Sequence, residues 1–156
     1  MINKTAAIIA AAGAGNRLGA NLPKALVKLL DKTLVEHAVA NLAPIAQHIV
    51  VTAPSGYEKE IQNLVGDDIT VVTGGATRSE SVRIGLAQVS SDAKYVLIHD
   101  AARPETPVEV FERVAALVEK TGDGVVPVLP TVDTTVIVES LADAHVFNTQ
   151  RRVNLQ

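Results

Sequence analysis

Residues 6–24 of the chain are AAIIAAAGAGNRLGANLPK. The apolar run that opens this stretch carries no polar side chain on either face, which is typical of a buried parallel strand. Gly13 and Gly15 come next, and because glycine has no Cβ, the backbone can approach a ligand closely there. Arg17 and Lys24 then add two positive charges. A strand followed by exposed backbone N–H groups, an arginine and a lysine predicts a site for the phosphates of a nucleotide.

Other glycine-loop sites match this stretch less well. In the dinucleotide-binding pattern G-x-G-x-x-G, the third glycine would stand where this chain has Leu18. The next predicted strand also ends without the acidic residue that would bind a ribose. A phosphate loop of the Walker type is excluded, because no Gly-Lys-Ser or Gly-Lys-Thr follows the glycines. A simple glycine turn between strand and helix remains as an alternative, but it gives no role to Arg17 and Lys24.

The composition narrows the class of protein. A length of 156 residues corresponds to about one domain. Aromatic residues make up 3% of the chain and tryptophan is absent, which disfavours the aromatic platforms on which nucleic-acid bases stack. The net charge of −3 argues against a surface that binds polyanions, so we expect a few local cations and a divalent metal to hold any anion. The lack of cysteine excludes disulfides, thiolate metal sites and a cysteine nucleophile.

Targeting signals are not visible in the sequence. It contains neither a signal-peptide pattern nor a run of about 18 apolar residues. We therefore expect a cytoplasmic protein without a membrane partner.

Strand-like and helix-like stretches alternate along the chain, which indicates βαβ units around a parallel sheet. The predicted strands are 6–12, 48–53, 69–73, 95–98 and 124–129, and the predicted helices are 33–43, 56–65, 77–89 and 108–120. The expected fold class is therefore α/β, an open and mostly parallel Rossmann-like sheet with helices on both faces. In the third helix we expect Val82, Ile84 and Leu86 to face inward. Gly85 is expected to lie at a close contact of this helix.

Two polar clusters stand where strands of this sheet would end. Ser81 follows the third strand and bonds either a ligand or the backbone of its own turn. Asp100 and Arg103 follow the fourth strand, at the edge where open α/β sheets bind ligands. The alternative for this second pair is an ion pair within their own turn. The sequence alone leaves both choices open.

Residues 131–139 and 145–149 predict the two strands of a β-hairpin arm, because apolar side chains alternate there with period two. Nothing in the remaining sequence is available to cover the apolar face of this arm. A protruding hairpin with an apolar face usually buries that face against a partner. We therefore expect a homodimer that forms through the arm 131–149.

Five short motifs occur in order along nearly the whole chain. They are AAGAGNRL at 11–18, LPK at 22–24, GGxxRxxSV at 74–82, HDAARP at 99–104 and VDT at 132–134. Together they resemble the 2-C-methyl-D-erythritol 4-phosphate cytidylyltransferases of the non-mevalonate isoprenoid route. The glycine loop alone would indicate only the wider nucleotidyltransferase superfamily, whereas the GGxxRxxSV and HDAARP motifs are much more specific.

The resemblance implies that one set of residues grips the CTP triphosphate: Gly13, Ala14, Gly15, Arg17 and Lys24. In the implied reaction, a phosphate oxygen of the acceptor attacks the α-phosphorus of CTP and expels pyrophosphate. Negative charge then gathers on the α-phosphoryl oxygens and the leaving group, so fixed cations stabilise the transition state more than the ground state. Arg17 and Lys24 are therefore the expected catalytic residues. The acceptor phosphate needs no general base, since it is already ionised.

A second implied set surrounds the cytosine and the ribose, mostly through backbone groups: Ala11, Ala12, Gly75 and Ser81. Asp100 would hold Mg²⁺, and Arg103 would lie beside the nucleotide. At the base of the arm, Thr134 and Arg152 would bind the phosphate of 2-C-methyl-D-erythritol 4-phosphate in the site of the partner subunit.

Two departures from the family pattern concern the site. Ala76 stands where many relatives have an acidic residue after the glycine pair. Members of the family also continue beyond this point with a Thr-Pro-Gln segment and a portion that carries a second metal-binding aspartate and a catalytic lysine. The resemblance therefore implies a single nucleotidyltransferase domain, 1–156, that lacks its C-terminal part and turns over slowly or not at all. A ribitol 5-phosphate cytidylyltransferase of the same fold and a catalytically inactive interaction module remain as alternatives.

Overall fold

The computed structural model describes residues 4–13 and 22–129 and the backbone of two further strands, 135–138 and 146–150. The chain divides into two compact units, Met1–Val125 and Val126–Gln156, and each is described by itself. In the described part of the chain, no helix is long and apolar enough to cross a membrane.

A four-stranded parallel sheet forms the centre of the first unit. The strands of this unit are β1 (Thr5–Ala10), β2 (Lys28–Leu29), β3 (Lys32–Thr33), β4 (His48–Ala53), β5 (Thr70–Thr73) and β6 (Tyr95–Asp100). Its helices are α1 (Leu34–Leu42), α2 (Glu58–Val65), α3 (Arg78–Leu86) and α4 (Val108–Thr121). The sheet has the order β5-β4-β1-β6, while β2 and β3 form a small antiparallel pair. This architecture confirms the predicted α/β class with a mostly parallel sheet.

β1 is buried along nearly its whole length. Its residues from Thr5 to Ile9 are at most 1% exposed, because β4 and β6 flank the strand and helices cover its faces. Ile8 pairs in register with Val50 of β4 and Ile98 of β6. The prediction of a buried parallel strand is confirmed, although the strand ends at residue 10 rather than 12.

Helices pack on both faces of the sheet. On one face, Val35 of α1 and Phe111 of α4 join the buried cluster that contains Ile9. On the other face, α3 lies against β1 at Gly85, where a Cβ would come within 2.8 Å of Ile8 Cγ2. Glycine alone fits this contact without a shift, which confirms the predicted close approach.

The end of the sheet beyond β1 differs from the prediction. β6 continues through His99 and Asp100, because these residues stay in register with Ile9 and Ala10 of β1. The predicted strand 124–129 is wrong: these residues form no strand, and the side chain of Leu129 is 90% exposed. Hydrogen bonds to a neighbouring strand define a strand, and the described residues provide no such neighbour for this apolar run.

One inward-facing residue of α3 was also predicted wrongly. Leu86 is 53% exposed, whereas Ser81 and Gly85, four residues apart, occupy the buried stripe of this helix. Small residues let α3 approach the sheet closely, so the larger leucine is placed beside the contact instead of within it. The helix ends at residue 86, three residues before the predicted end, and the bounds of the other helices agree with prediction within two residues.

The second unit contains the predicted hairpin. β7 (Thr135–Val138) and β8 (Val146–Gln150) pair in antiparallel register, with an irregularity between Ile137 and Val138. This pairing confirms a hairpin over the range in which the sequence predicts one. The side chains of this unit beyond residue 129 lie outside the described residues, so dimerisation through the arm stays a prediction.

Candidate active site

The carboxyl ends of β1 and β6 lie side by side at the switch point of the sheet. The chain runs from β1 outward to β5 and then returns to β6 on the other side of β1. Open α/β sheets bind ligands in the crevice at such a point. Ala10 pairs in register with Asp100, and the Ala101 N–H donates to the Ala10 carbonyl at 3.1 Å.

A cleft of about 50 Å³ opens at this point. It is lined by Ala10, Ala11, Gly13, Lys24, Ala25, Ala101 and Ala102. Three motifs that are far apart in sequence therefore meet in space: the start of the glycine loop, LPK and HDAARP.

A short 3₁₀ turn, Lys24–Leu26, carries Lys24 into the cleft. The Leu26 N–H donates to the Pro23 carbonyl at 3.0 Å, and the Val27 N–H donates to the Lys24 carbonyl at 3.1 Å. Ala25 and Leu26 are buried and anchor this turn in the core. The backbone that presents the ammonium group is thus fixed by packing on one side, while the side chain itself remains partly exposed.

Gly13 is the last residue of the glycine loop that the structure describes. It does not have a positive φ, and a Cβ added there would meet no atom within 4 Å. Glycine at this position therefore leaves open space above the backbone rather than relieving strain. The remaining predicted site residues of the loop and the arm lie outside the described residues: Ala14, Gly15, Arg17, Thr134 and Arg152.

The turn after β5 packs directly against the end of β1. The Gly74 N–H donates to the Ala53 carbonyl at 2.7 Å, and a Cβ at Gly74 would overlap the Cβ of Ala12. This contact places Ala12 beside the predicted nucleotide residues of the turn, Gly75 and Ser81. In the same turn, the Ala76 N–H donates to the carboxylate of Glu80 at 2.9 Å.

Ser81 holds this turn in place through hydrogen bonds. Its side chain is 2% exposed, and its Oγ accepts from the Gly75 N–H at 3.0 Å. The hydroxyl proton is shared between the carbonyls of Thr77 at 3.0 Å and Gly75 at 3.3 Å. Of the two alternatives, the bond to the backbone of its own turn is therefore present in the structure.

Asp100 forms its shortest ion pair with a residue for which no role was predicted. The Arg78 Nε–H donates to Asp100 Oδ1 at 2.8 Å, while Arg103 Nε lies 3.9 Å from Oδ2. The predicted alternative of an ion pair within the turn of Asp100 and Arg103 is thus present, but it is the longer of the two. A signal existed in the sequence, because an arginine in the first turn of a helix faces the positive end of the helix dipole and needs a compensating partner.

His99 belongs to the core rather than to the cleft. Its ring is 6% exposed and meets the Phe111 ring edge to face, with the centroids 4.9 Å apart. Burial lowers the pKa of His99, and the Arg103 backbone and the Asp100 charge oppose this only in part. Among the described residues, none forms a hydrogen bond with His99 Nε2. The neutral ring therefore supports β6 next to Asp100 by packing.

The model of the 2-C-methyl-D-erythritol 4-phosphate cytidylyltransferase family matches residues 5–156 of the chain. The chain belongs to this family. The enzyme of that name from Frankia casuarinae is 41% identical over 155 residues, which are 98% of this chain and 58% of the relative. The one from Rhodococcus jostii is 42% identical over 137 residues, covering 86% of this chain and 60% of the relative. The chain thus spans less than two thirds of the length of these curated relatives.

Solved structures of the family share the fold. The crystal structure of the Thermus thermophilus enzyme matches with a TM-score of 0.68 and 32% identity, over 85% of this chain and 58% of that chain. A 4-diphosphocytidyl-2C-methyl-D-erythritol synthase matches with a TM-score of 0.73 and 26% identity, over 97% of this chain and 70% of that chain. The resemblance stated from the five motifs is confirmed.

The residues near the cleft would hold a divalent metal tightly only together with a ligand that supplies further oxygen atoms, and weakly without one. Within the described ranges, no three histidine, cysteine or acidic side chains come together as a metal cage. Asp100 is not one of the lining residues; it directly precedes Ala101, which is, and its carboxylate is 29% exposed. Mg²⁺ is commonly held by one or two carboxylates plus substrate phosphates. The donor set therefore suits a cation that is shared with a phosphate ligand.

Proposed function

We propose that this chain belongs to an enzyme that joins CTP and 2-C-methyl-D-erythritol 4-phosphate, releasing pyrophosphate, in isoprenoid biosynthesis. One observation carries the proposal: Lys24 and the strand end that bears Asp100 meet at the switch point of the sheet. Membership of the cytidylyltransferase family supports the choice of CTP and of this acceptor.

The reaction is a substitution at the α-phosphorus of CTP. An oxygen of the acceptor phosphate forms the new P–O bond, and the bond to the bridging oxygen of the β-phosphate breaks, so that pyrophosphate leaves with the electron pair. Lys24 and Arg17 are proposed to bind the oxygens on which charge accumulates. Their positive charges lower the barrier because this charge is larger in the transition state than in the ground state.

Asp100 is the proposed metal residue, and Arg103 is proposed to lie beside the nucleotide. Bound Mg²⁺ would neutralise phosphate charge and orient the oxygens of the triphosphate. This proposal for Asp100 is supported by its place at the end of β6, directly before the lining residue Ala101. The buried ring of His99 supports this strand end.

Cytosine and ribose are proposed to bind along Ala11, Ala12, Gly75 and Ser81. Gly74 allows the turn that carries Gly75 to pack on Ala12, and Ser81 holds that turn through neutral hydrogen bonds. A backbone that is fixed before the ligand arrives loses less conformational entropy on binding. The glycine-loop residues Gly13, Ala14 and Gly15 are proposed to contact the triphosphate through their N–H groups.

The acceptor phosphate is proposed to bind Thr134 and Arg152, at the base of the arm, in the site of the partner subunit. The partner is the other subunit of a cytoplasmic homodimer that forms through residues 131–149. The pairing of β7 with β8 supports a hairpin at this position. That residues 1–156 belong to a single nucleotidyltransferase domain also remains a proposal, supported by the family match over residues 5–156.

The test is a product assay with two acceptors. Because the relatives are longer, we define the extended chain as this chain fused to the C-terminal portion of the Frankia casuarinae relative. Both chains receive CTP, Mg²⁺ and either 2-C-methyl-D-erythritol 4-phosphate or ribitol 5-phosphate. We expect the extended chain to form a CDP-linked product with the first acceptor and this chain to be much slower. Product from ribitol 5-phosphate alone would contradict the proposed acceptor, and a folded extended chain that binds no CTP would indicate an interaction module.

A further inference from the structure

The position of Arg78 in α3 is electrostatically unfavourable by itself. Arg78 is the first residue of the helix, where the N–H groups and the helix dipole already present positive charge. The other residues of this turn follow the ordinary rules: Thr77 caps the helix by accepting from the Glu80 N–H at 3.1 Å, and Glu80 adds a negative charge. An arginine at this point is therefore explained by what its side chain binds.

Its partner is the proposed metal carboxylate. Arg78 Nε lies 2.8 Å from Asp100 Oδ1, and Arg103 Nε lies 3.9 Å from Oδ2. In the described part of the chain, Asp100 is the carboxylate found within 4.0 Å of either arginine. Glu80, the acidic residue of the same helix turn, is already engaged by the Ala76 N–H. Both oxygens of Asp100 therefore face a guanidinium group.

We propose that Arg78 competes with the divalent metal for Asp100, so that the metal binds well only together with the nucleotide. The inference rests on the proposed function, in which Asp100 is the metal residue. A cation that approaches Asp100 alone meets the repulsion of a guanidinium group that already occupies Oδ1. The triphosphate of CTP supplies compensating negative charge, and Asp100 can then exchange the guanidinium for the metal. Arg78 is in this sense a positioning residue, since it acts through Asp100.

Exposure of the pair makes such an exchange feasible. The Arg78 side chain is 60% exposed and Asp100 is 29% exposed, so water can solvate the guanidinium group when it leaves. Exposed ion pairs contribute little to stability, and their exchange costs correspondingly little. The pair also joins the start of α3 to the end of β6, 22 residues apart in sequence, without a buried contact that would have to break.

The test measures binding of Mn²⁺ without nucleotide, by electron paramagnetic resonance of the free ion. We expect Arg78→Gln to tighten Mn²⁺ binding about tenfold at low ionic strength, because removal of a charge a few ångströms from a divalent cation relieves strong repulsion. Arg83→Gln is the matched control, since Arg83 is an exposed arginine of the same helix and should leave the affinity unchanged. Arg78→Lys should keep the weak affinity, because it retains the charge.

Two further arms decide between the outcomes. The gain in Arg78→Gln should disappear when Asp100→Asn is added, and CTP should tighten Mn²⁺ binding less in Arg78→Gln than in the wild type. Unchanged, weaker or unmeasurable Mn²⁺ binding by Arg78→Gln would overturn the proposal, and so would a gain that survives Asp100→Asn. Mn²⁺ binding is measured without turnover. An extended chain that forms no product would contradict the proposed function, but the Mn²⁺ measurement would still test the effect of Arg78 on Asp100.

Discussion

Two residues in the first turns of α3, Ser81 and Arg78, contact the site through different kinds of interaction. Ser81 is 2% exposed and bonds the Gly75 turn through uncharged groups, whereas Arg78, three residues earlier, is 60% exposed and bonds Asp100 through opposite charges. A buried neutral hydrogen bond is costly to leave unmade, while an exposed ion pair contributes little to stability. The contrast indicates that the buried side of this turn fixes geometry, and that the exposed side is left free to exchange partners with a ligand.

The strongest effect is expected for a charged group of the cleft. Lys24→Ala in the extended chain should reduce turnover at least about a hundredfold, by analogy with the loss of one donor to a developing oxyanion. Its unfolding temperature should hardly change, because Ala25 and Leu26 rather than the ammonium group anchor the turn. Lys28→Ala, an exposed lysine of β2, is the control and should retain activity. Turnover of Lys24→Ala close to that of the wild type would remove Lys24 from the mechanism.

Ser81, the buried residue of the two, is expected to contribute to the stability of the fold. Ser81→Ala should lower the free energy of unfolding by about 1–3 kcal/mol, because the half-buried Gly75 N–H loses the partner that the buried Ser81 hydroxyl provides. Ser79→Ala is the matched control: it changes an exposed serine of the same helix and should stay within about 0.5 kcal/mol of the wild type. Urea unfolding of the three proteins measures both values. Equal stabilities would mean that Ser81 does not fasten the turn.

The buried His99, next to Asp100, predicts that the stability of the fold depends on pH. Burial lowers the pKa of His99 below its ordinary 6.5, so the unfolded chain takes up this proton first as the pH falls. The contribution of the neutral ring is full above pH 6.5 and is lost progressively below it. We expect His99→Gln to flatten the decline of the urea midpoint between about pH 7 and about pH 5.5. An unchanged slope in this variant would assign the decline to other groups.

The weakest effect is expected for the stability of the exposed pair. Asp100→Asn and Arg78→Gln should each change the free energy of unfolding by less than about 1 kcal/mol, since both partners contact water. The same urea series measures this. If either variant lost as much free energy of unfolding as Ser81→Ala, the ion pair would not differ in stability from the buried hydrogen bonds of Ser81.

Much of the fold follows from local sequence signals. The apolar run at the start of β1, the 48–53 run of β4 and the amphipathic pattern of α4 predict elements that the structure contains. These signals suffice because burial on both faces, or on one helical stripe, is visible in a single segment. The run 124–129 is also apolar but forms no strand, because Pro127 has no N–H to donate and because strand formation also depends on a neighbour that the segment itself does not specify.

The sequence predicts the separate motifs of the site but not the ion pair that joins two of its residues. The glycine loop, Lys24 and the HDAARP motif point to one ligand edge, and the structure brings Gly13, Lys24 and Ala101 into one cleft. The position of Arg78 at the start of a helix indicates that it has a partner, but no local pattern identifies Asp100, 22 positions away, as that partner. Ser81 was left between two roles, because only the position of the Gly75 N–H decides which bond the hydroxyl makes.

An amide NMR titration of the extended chain with CTP and Mg²⁺ locates the nucleotide site without requiring turnover. If the switch point between β1 and β6 is that site, the amides of Gly13, Gly75 and Ala102 should shift together and saturate at one CTP concentration, while those of α2 stay unchanged. Saturable shifts confined to other surfaces, with these three amides unmoved, would rule out the switch point as the place where the nucleotide binds.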